Sequence, residues 1–270
     1  MRILCCLNRD LASNFALNLL WPTLAAHELL IGLTERVGQA ATTEPRGRVE
    51  LRTAEQSLPN EVLFPLVEEA GRPDRGGRHL TFGEIERHRA ARCVPLANPN
   101  SGEGLELVRA FAPDLILTIR YGAILKTPVI TIPRHGVLNL HSGRLPSYRG
   151  VLATFRALMN GDDELGCTLH YISDGTIDTG SVVGVRRVAV DRDRSLLWHI
   201  LALYPPGIEL MAGAVRRLAA GEPPGGAPQV AGEGRYYSYP SAAEWAEFGR
   251  RGWRIADPSD LAEAFARYRC

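Results

Sequence analysis

Several classes of protein are excluded by what this sequence lacks. It has no uninterrupted apolar run of about eighteen residues, the length a membrane-spanning helix needs. Its first residues, MRILCCLNRD, hold no apolar core long enough for a secretory signal, so a cytoplasmic place is expected. An excess of one charge is also missing. Thirty-one basic residues stand against thirty acidic ones, a net charge of +1, so no bulk field recruits nucleic acid or an anionic membrane. The five cysteines, Cys5, Cys6, Cys93, Cys167 and Cys270, are odd in number and show no C-x-x-C spacing. Cys5 and Cys6 adjoin inside an apolar run and read as buried strand in a reducing compartment, not as disulfide partners. No metal-ligand spacing, G-x-S-x-G elbow or Walker loop occurs, and no G-x-G-x-x-G follows the first strand. Nucleotide phosphate cradling and serine hydrolysis are therefore unsupported.

What is present suits a soluble α/β protein. The 270 residues are 45% hydrophobic, enough for a sizeable core. RILCCL (2–7) reads as a buried strand and LASNFALNLLWP as a helix stopping at Pro22. HELLIGLTERV is ambiguous, with Leu29 to Leu33 a candidate second strand, and 38–56 reads as loop. NEVLFPLVEEA is a helix candidate broken near Pro65, 71–78 is a surface turn, and TFGEIERHRAAR is an amphipathic helix. A helix over 102–111, the strand LILTI and the strand GVLNLH follow. VLATFRALMNG is a helix with a glycine stop at Gly161. GCTLHYIS and GSVVGVRRVAV are strands joined by the DGTIDTG loop, and SLLWHILALYPPGIELMAGAVRRLAAG is helical with a break at Pro205-Pro206. This alternation predicts a doubly wound, mainly parallel sheet over 1–221, a Pro/Gly linker at 222–229 and a small extension at 230–270. The extension is too short to bury a core alone and is expected to pack on the main domain.

Ligands of such sheets bind beyond the strand C-termini. There the sequence reads GVLNLHSGRLPSYRG (136–150), with Asn139 and His141 two residues apart on one strand face. An amide can hold a developing oxyanion and an imidazole can exchange a proton near neutral pH. The same pair would equally suit a turn cap and an incidental surface histidine. SDGTIDTG (173–180) brings Asp174 and Asp178 in a loop that glycines allow to turn tightly, where aspartates also serve purely local hydrogen bonds. Tyr148 and Arg149, in RLPSYRG across the mouth of that edge, are the candidate substrate contacts, and Arg144 reads as a solvated charge. His170 reads as a core histidine. His27, His79, His88, His135 and His199 show no partner pattern.

NLHSGRLPSYRG (139–150) and GCTLHYISDGTIDTGSVV (166–183) together resemble the formyltransferases that use 10-formyltetrahydrofolate, a family including glycinamide ribonucleotide, methionyl-tRNA and nucleotide-sugar formyltransferases. The resemblance is strong over 113–185 and is not visible in 221–270. It implies a Rossmann-like formyltransferase core in which Asn139, His141 and Asp178 act on the formyl carbon, with no metal. It places the folate between Arg120, Tyr121, Gly122, Ile124 and Leu125 on one side and Ser173, Asp174 and Gly175 on the other. Three departures stand out. Ser142-Gly143 replace the family's Pro-Ser, the loop to Asp178 is one residue longer, and LNRDLASNF stands where purine-pathway members carry a phosphate-binding glycine loop. Glycinamide ribonucleotide is thereby disfavoured. A small-molecule amine, foremost a nucleotide-linked amino sugar, is the expected acceptor. With few residues after the linker and a charge near zero, nucleic acid is not expected as a partner; a homodimer is compatible with these features. Hydrolysis of 10-formyltetrahydrofolate, transfer to methionyl-tRNA and a silent folate-binding protein are the alternatives.

Overall fold

A computed structural model describes residues 1–35, 44–71, 77–89, 91–230 and 232–269. Among them the apolar runs form strands β1 (Arg2–Asn8), β2 (Glu28–Thr34), β3 (Arg92–Pro95), β4 (Leu115–Ile119), β5 (Val137–His141), β6 (Tyr148–Gly150), β7 (Glu164–Tyr171), β8 (Val182–Ala189) and β9 (Arg235–Tyr237). Seven of them make one sheet in the order β3-β2-β1-β4-β5-β7-β8. The first five in that order pair in parallel, and β7 and β8 extend the sheet antiparallel. This is the mainly parallel α/β architecture expected. Side chains alternate across it: Ile3, Cys5 and Leu7 of β1 enter one core layer, Leu4 and Cys6 the other. Chain order runs outward from β1 on one side and from β4 on the other, so the topological switch lies between these strands.

The helices follow the expected pattern with informative exceptions. The helix Leu11–Leu24 runs through Pro22 instead of stopping there. Burial of Leu20, Trp21 and Leu24 in the core outweighs the one hydrogen bond a proline cannot donate. The expected loop over 38–56 lies in part outside the described residues, but Arg46–Arg52 is helical and continues as the π-helical turn Thr53–Ser57. Leu51 and Ala54 are buried there, and Gly47 sits so close to the Trp245 ring that a Cβ would lie 2.6 Å from it. Pro65 does not break the chain's helical path: it stands in the helix Phe64–Glu69, which follows the π-helical turn Pro59–Leu63 directly. Most of the expected 71–78 turn lies outside the described residues. The short edge strand β3 carries no sequence signal of its own. Gly161 ends the helix Ala153–Asn160 with a left-handed φ of 78°, and the prolines of the Pro205-Pro206 pair occupy the first turn of the helix Tyr204–Ala219.

After residue 229 the chain returns to the body. Strand β9 pairs in parallel with β6 in a separate two-stranded sheet. Trp245, Phe248, Trp253, Phe265 and Tyr268 enter the main core layer, where the Phe155 ring lies 4.5 Å from Trp245 and 4.7 Å from Phe248. No helix of the described residues is long and apolar enough to cross a membrane.

Candidate active site

The C-terminal end of β5 carries the site. Val137, Asn139 and His141 share a face, and the strand register puts Asn139 beside Thr118 of β4 and beside His170 of β7. A polar row thus crosses three strands. The Thr118 hydroxyl donates to Asn139 Oδ1 at 2.7 Å, which turns the amide nitrogen toward His170 Nε2, 2.9 Å away. His170 Nδ1 faces the Tyr171 carbonyl at 2.9 Å and donates to it. His141 Nε2 donates to the Tyr148 carbonyl at 2.6 Å, leaving Nδ1 3.5 Å from Asp178 Oδ2.

Asp178 closes the group. Its Oδ1 lies 3.4 Å from His170 Nε2, and its Oδ2 accepts the Gly150 amide at 2.8 Å. Burial would raise this carboxyl, but the charge on His141, the neighbouring His170 and the Gly150 amide outweigh it and hold the pKa at about 2. The side chain is 9% exposed and ionised across the working pH range. An amide, two imidazoles and a carboxylate are therefore joined in one network at the lip of the parallel strands.

That network forms part of the wall of a cleft of about 1040 Å³. Pockets that hold one drug-sized ligand measure roughly 300–1,000 Å³, so this cleft stands at the upper end of that range. Four non-glycine residues among those described have positive φ, and three of them, Arg120, Leu152 and Asp178, line this cleft. Strain of this kind persists where surrounding structure enforces it, as at binding sites.

The candidate residues divide. Asn139, His141 and Asp178 converge as anticipated, and Arg120, Tyr121, Gly122 and Ile124 line the cleft. Ile124 is half exposed and, with Gly122 and Ala123, offers an apolar wall suited to a planar ring. Arg120 is not available as a free cation: its guanidinium bonds Asp10 at 3.1 Å and Glu55 at 2.7 Å. Burial pushes Glu55 up to about 7, against the pull of Arg120 and with the Asp10 charge adding to the rise. Leu125 is buried in the second core layer and does not line the cleft, nor do Ser173, Asp174 and Gly175. Asp174 accepts from the amide and hydroxyl of Thr176, which lowers its carboxyl. Tyr148 points away from the cleft, donating to Asp162 at 2.8 Å and stacking on Tyr237, and Arg149 donates to the Glu233 carbonyl at 2.8 Å.

Two residues of the network escaped sequence reasoning. His170 is buried, as a core histidine should be, yet it touches both Asn139 and Asp178. Thr118 was one polar residue inside an apolar run. Each stands opposite Asn139 in a neighbouring strand; Thr118 has no other signal, whereas His170 also lies within the stretch 166–183 that carries the family resemblance. Beyond the first sheet, Tyr236 and Tyr239 bring the C-terminal segment to the cleft, whereas Trp245 and Trp253 are core.

Residues 96–197 match the family described as Formyl transferase. The chain is 34% identical over 229 residues to the methionyl-tRNA formyltransferase of Xanthomonas campestris pv. campestris, covering 79% of this chain and 72% of that one. With the methionyl-tRNA formyltransferase of Acidithiobacillus ferrooxidans the identity is 32% over 136 residues, 49% of this chain and 43% of the relative. The chain spans about half the length of the curated relatives that head the comparison. In fold it is similar to an N-formyltransferase from Helicobacter canadensis solved with folinic acid and dTDP-3-aminofucose, with a TM-score of 0.56 and 14% identity over 88% of this chain and 71% of that one.

Proposed function

The chain belongs to the formyl transferase family, and from that premise we propose that it moves a formyl group from 10-formyltetrahydrofolate to a primary amine. The observation that carries the proposal is the convergence of Asn139, His141 and Asp178 in one cleft. The folate supplies the activated one-carbon unit. The chain's own residues supply the rest. Tyr121 to Ile124 provide the wall against which the folate ring lies. As the amine attacks, negative charge grows on the formyl oxygen. One Asn139 amide hydrogen is engaged with His170, and the second is the donor for that oxygen. Both His141 nitrogens face protein acceptors, so His141 contributes as a nearby positive charge that Asp178 sustains. Asp178, ionised at neutral pH, also takes the proton that the attacking amine sheds and passes it to the folate nitrogen as the bond between that nitrogen and the formyl carbon breaks.

We assign the acceptor to a small amine, foremost a nucleotide-linked amino sugar. Tyr236, which is 54% exposed, offers an aromatic face along the cleft, with Tyr239 beside it under the Arg48 guanidinium at 3.8 Å, and the Helicobacter canadensis neighbour was solved with a nucleotide-linked amino sugar. Transfer to methionyl-tRNA is the second reading, favoured by the identity to the Xanthomonas enzyme. The net charge of +1 offers it no general grip on a polyanion. The test is tetrahydrofolate release from 10-formyltetrahydrofolate with nucleotide-linked amino sugars, amino acids, methionyl-tRNA or no acceptor. Release dependent on the sugar amine is expected. Dependence on methionyl-tRNA moves the acceptor, release without acceptor makes the protein a hydrolase, and no release under any condition refutes the proposal.

A further inference from the structure

Composition marks 222–229 as a linker, but in the folded chain this segment is fastened to the loop that presents Asp178. Ala227 and Val182 exchange both backbone hydrogen bonds, each 2.8 Å long, and the Tyr171 hydroxyl donates to the Pro224 carbonyl at 3.0 Å. The two ends of the loop, at Tyr171 and Val182, are thus held by the same strip of chain. Gln229 then reaches inside the loop. Its Nε2 donates to the Asp178 carbonyl at 2.9 Å and to the Gly180 carbonyl at 2.8 Å. Carbonyls can only accept, so the orientation of this amide is fixed. Its own Oε1 is buried without a partner among the described residues.

The loop needs such a hold. Asp178 adopts a left-handed φ of 56°, which a non-glycine residue avoids unless its surroundings impose it. Gly180 passes so near the Tyr171 carbonyl that a Cβ would lie 1.8 Å from its oxygen. In this strained path the Asp178 carboxylate meets His141, His170 and the Gly150 amide at once. We infer that Gln229 is a positioning residue for Asp178: its two donated hydrogen bonds pin the loop backbone and so aim the carboxylate at the histidines. The inference rests on the proposed role of Asp178. It adds that the segment after the matched family region is part of the catalytic apparatus.

Gln229→Met tests this, since it keeps the volume and removes both donors; Gln229→Ala is the second variant should Met fail to fold. The first readout needs no activity. In the wild-type chain, NMR of the Asp178 carboxyl should find it ionised down to the lowest pH at which the fold holds. In the variant the loop relaxes away from His141, His170 and Gly150, and the carboxyl should titrate back in the ordinary carboxylate range. The second readout is kinetic, with kcat expected to fall roughly 10- to 100-fold while KM for both substrates stays within about twofold. An unchanged Asp178 titration, an unchanged kcat, or a loss carried by KM instead of kcat overturns the inference. Absence of formyl transfer in the wild-type chain would instead sink the functional reading, and the titration would still report on Gln229.

Discussion

Replacing Asp178 by Asn preserves the side-chain shape and an oxygen for the Gly150 amide, but removes the charge between His141 and His170. In the wild-type chain the carboxyl sits at about 2 instead of the ordinary 3.8, a difference corresponding to roughly 2 kcal/mol in favour of the ionised folded state. The group is 9% exposed, so solvent screens little of this. A carboxyl whose pKa is depressed by folding contributes stability above its unfolded pKa and loses it as the pH falls toward the folded value. The variant should therefore be less stable than the wild type by roughly 2 kcal/mol at neutral pH, and the gap should close between pH 3.8 and about 2. Turnover should drop further, by about 10²- to 10⁴-fold, because a positioned proton acceptor and the partner of His141 are lost together. That is a barrier increase of roughly 3–5 kcal/mol, larger than the stability loss and separable from it. Denaturant unfolding at neutral and acid pH, paired with tetrahydrofolate release, measures both. A variant as stable as the wild type at neutral pH, with turnover within tenfold, would refute the placement of a working carboxylate at Asp178.

Two further outcomes are expected. Tyr236→Ala removes an exposed aromatic face from the cleft, where the ring packs over Gly150. It should raise KM for the acceptor several-fold and leave that for the folate unchanged, and equal effects on both would return Tyr236 to mere surface. Trp245→Ala opens the core between Phe155, Phe248 and Gly47. It should cost about 3–5 kcal/mol in denaturant unfolding, and a loss under about 1 kcal/mol would show that the C-terminal segment is not part of the core.

The parallel half of the sheet was legible because buried strands and amphipathic helices have different periods, and that alternation runs through the whole first part of the chain. Asn139 and His141 were legible for the same reason, being two residues apart at a strand end. Asp178 was legible only in part: the loop 173–180 falls on the same sheet edge, but nothing local separates Asp178 from Asp174, and the family resemblance made that choice. His170 illustrates the limit. A lone histidine on an apolar strand looks alike in a core and in a site, and only the antiparallel register of β5 and β7 sets it beside Asn139. The helix Arg46–Arg52 was missed because what it packs on, Trp245, lies almost two hundred residues away in sequence. The π-helical continuation through Glu55 has no local signal either. Tyr148 was drawn toward substrate by its neighbours in sequence, yet its hydroxyl finds Asp162 and Asn160 on the other side.

The account stands or falls on His141, buried between the Tyr148 carbonyl and Asp178. The decisive measurement is the single-turnover rate of formyl transfer by His141→Ala, alongside its affinity for a non-reactive folate. A rate lowered about 10³-fold or more with folate affinity retained is the predicted result. Normal transfer by the folded variant would contradict it.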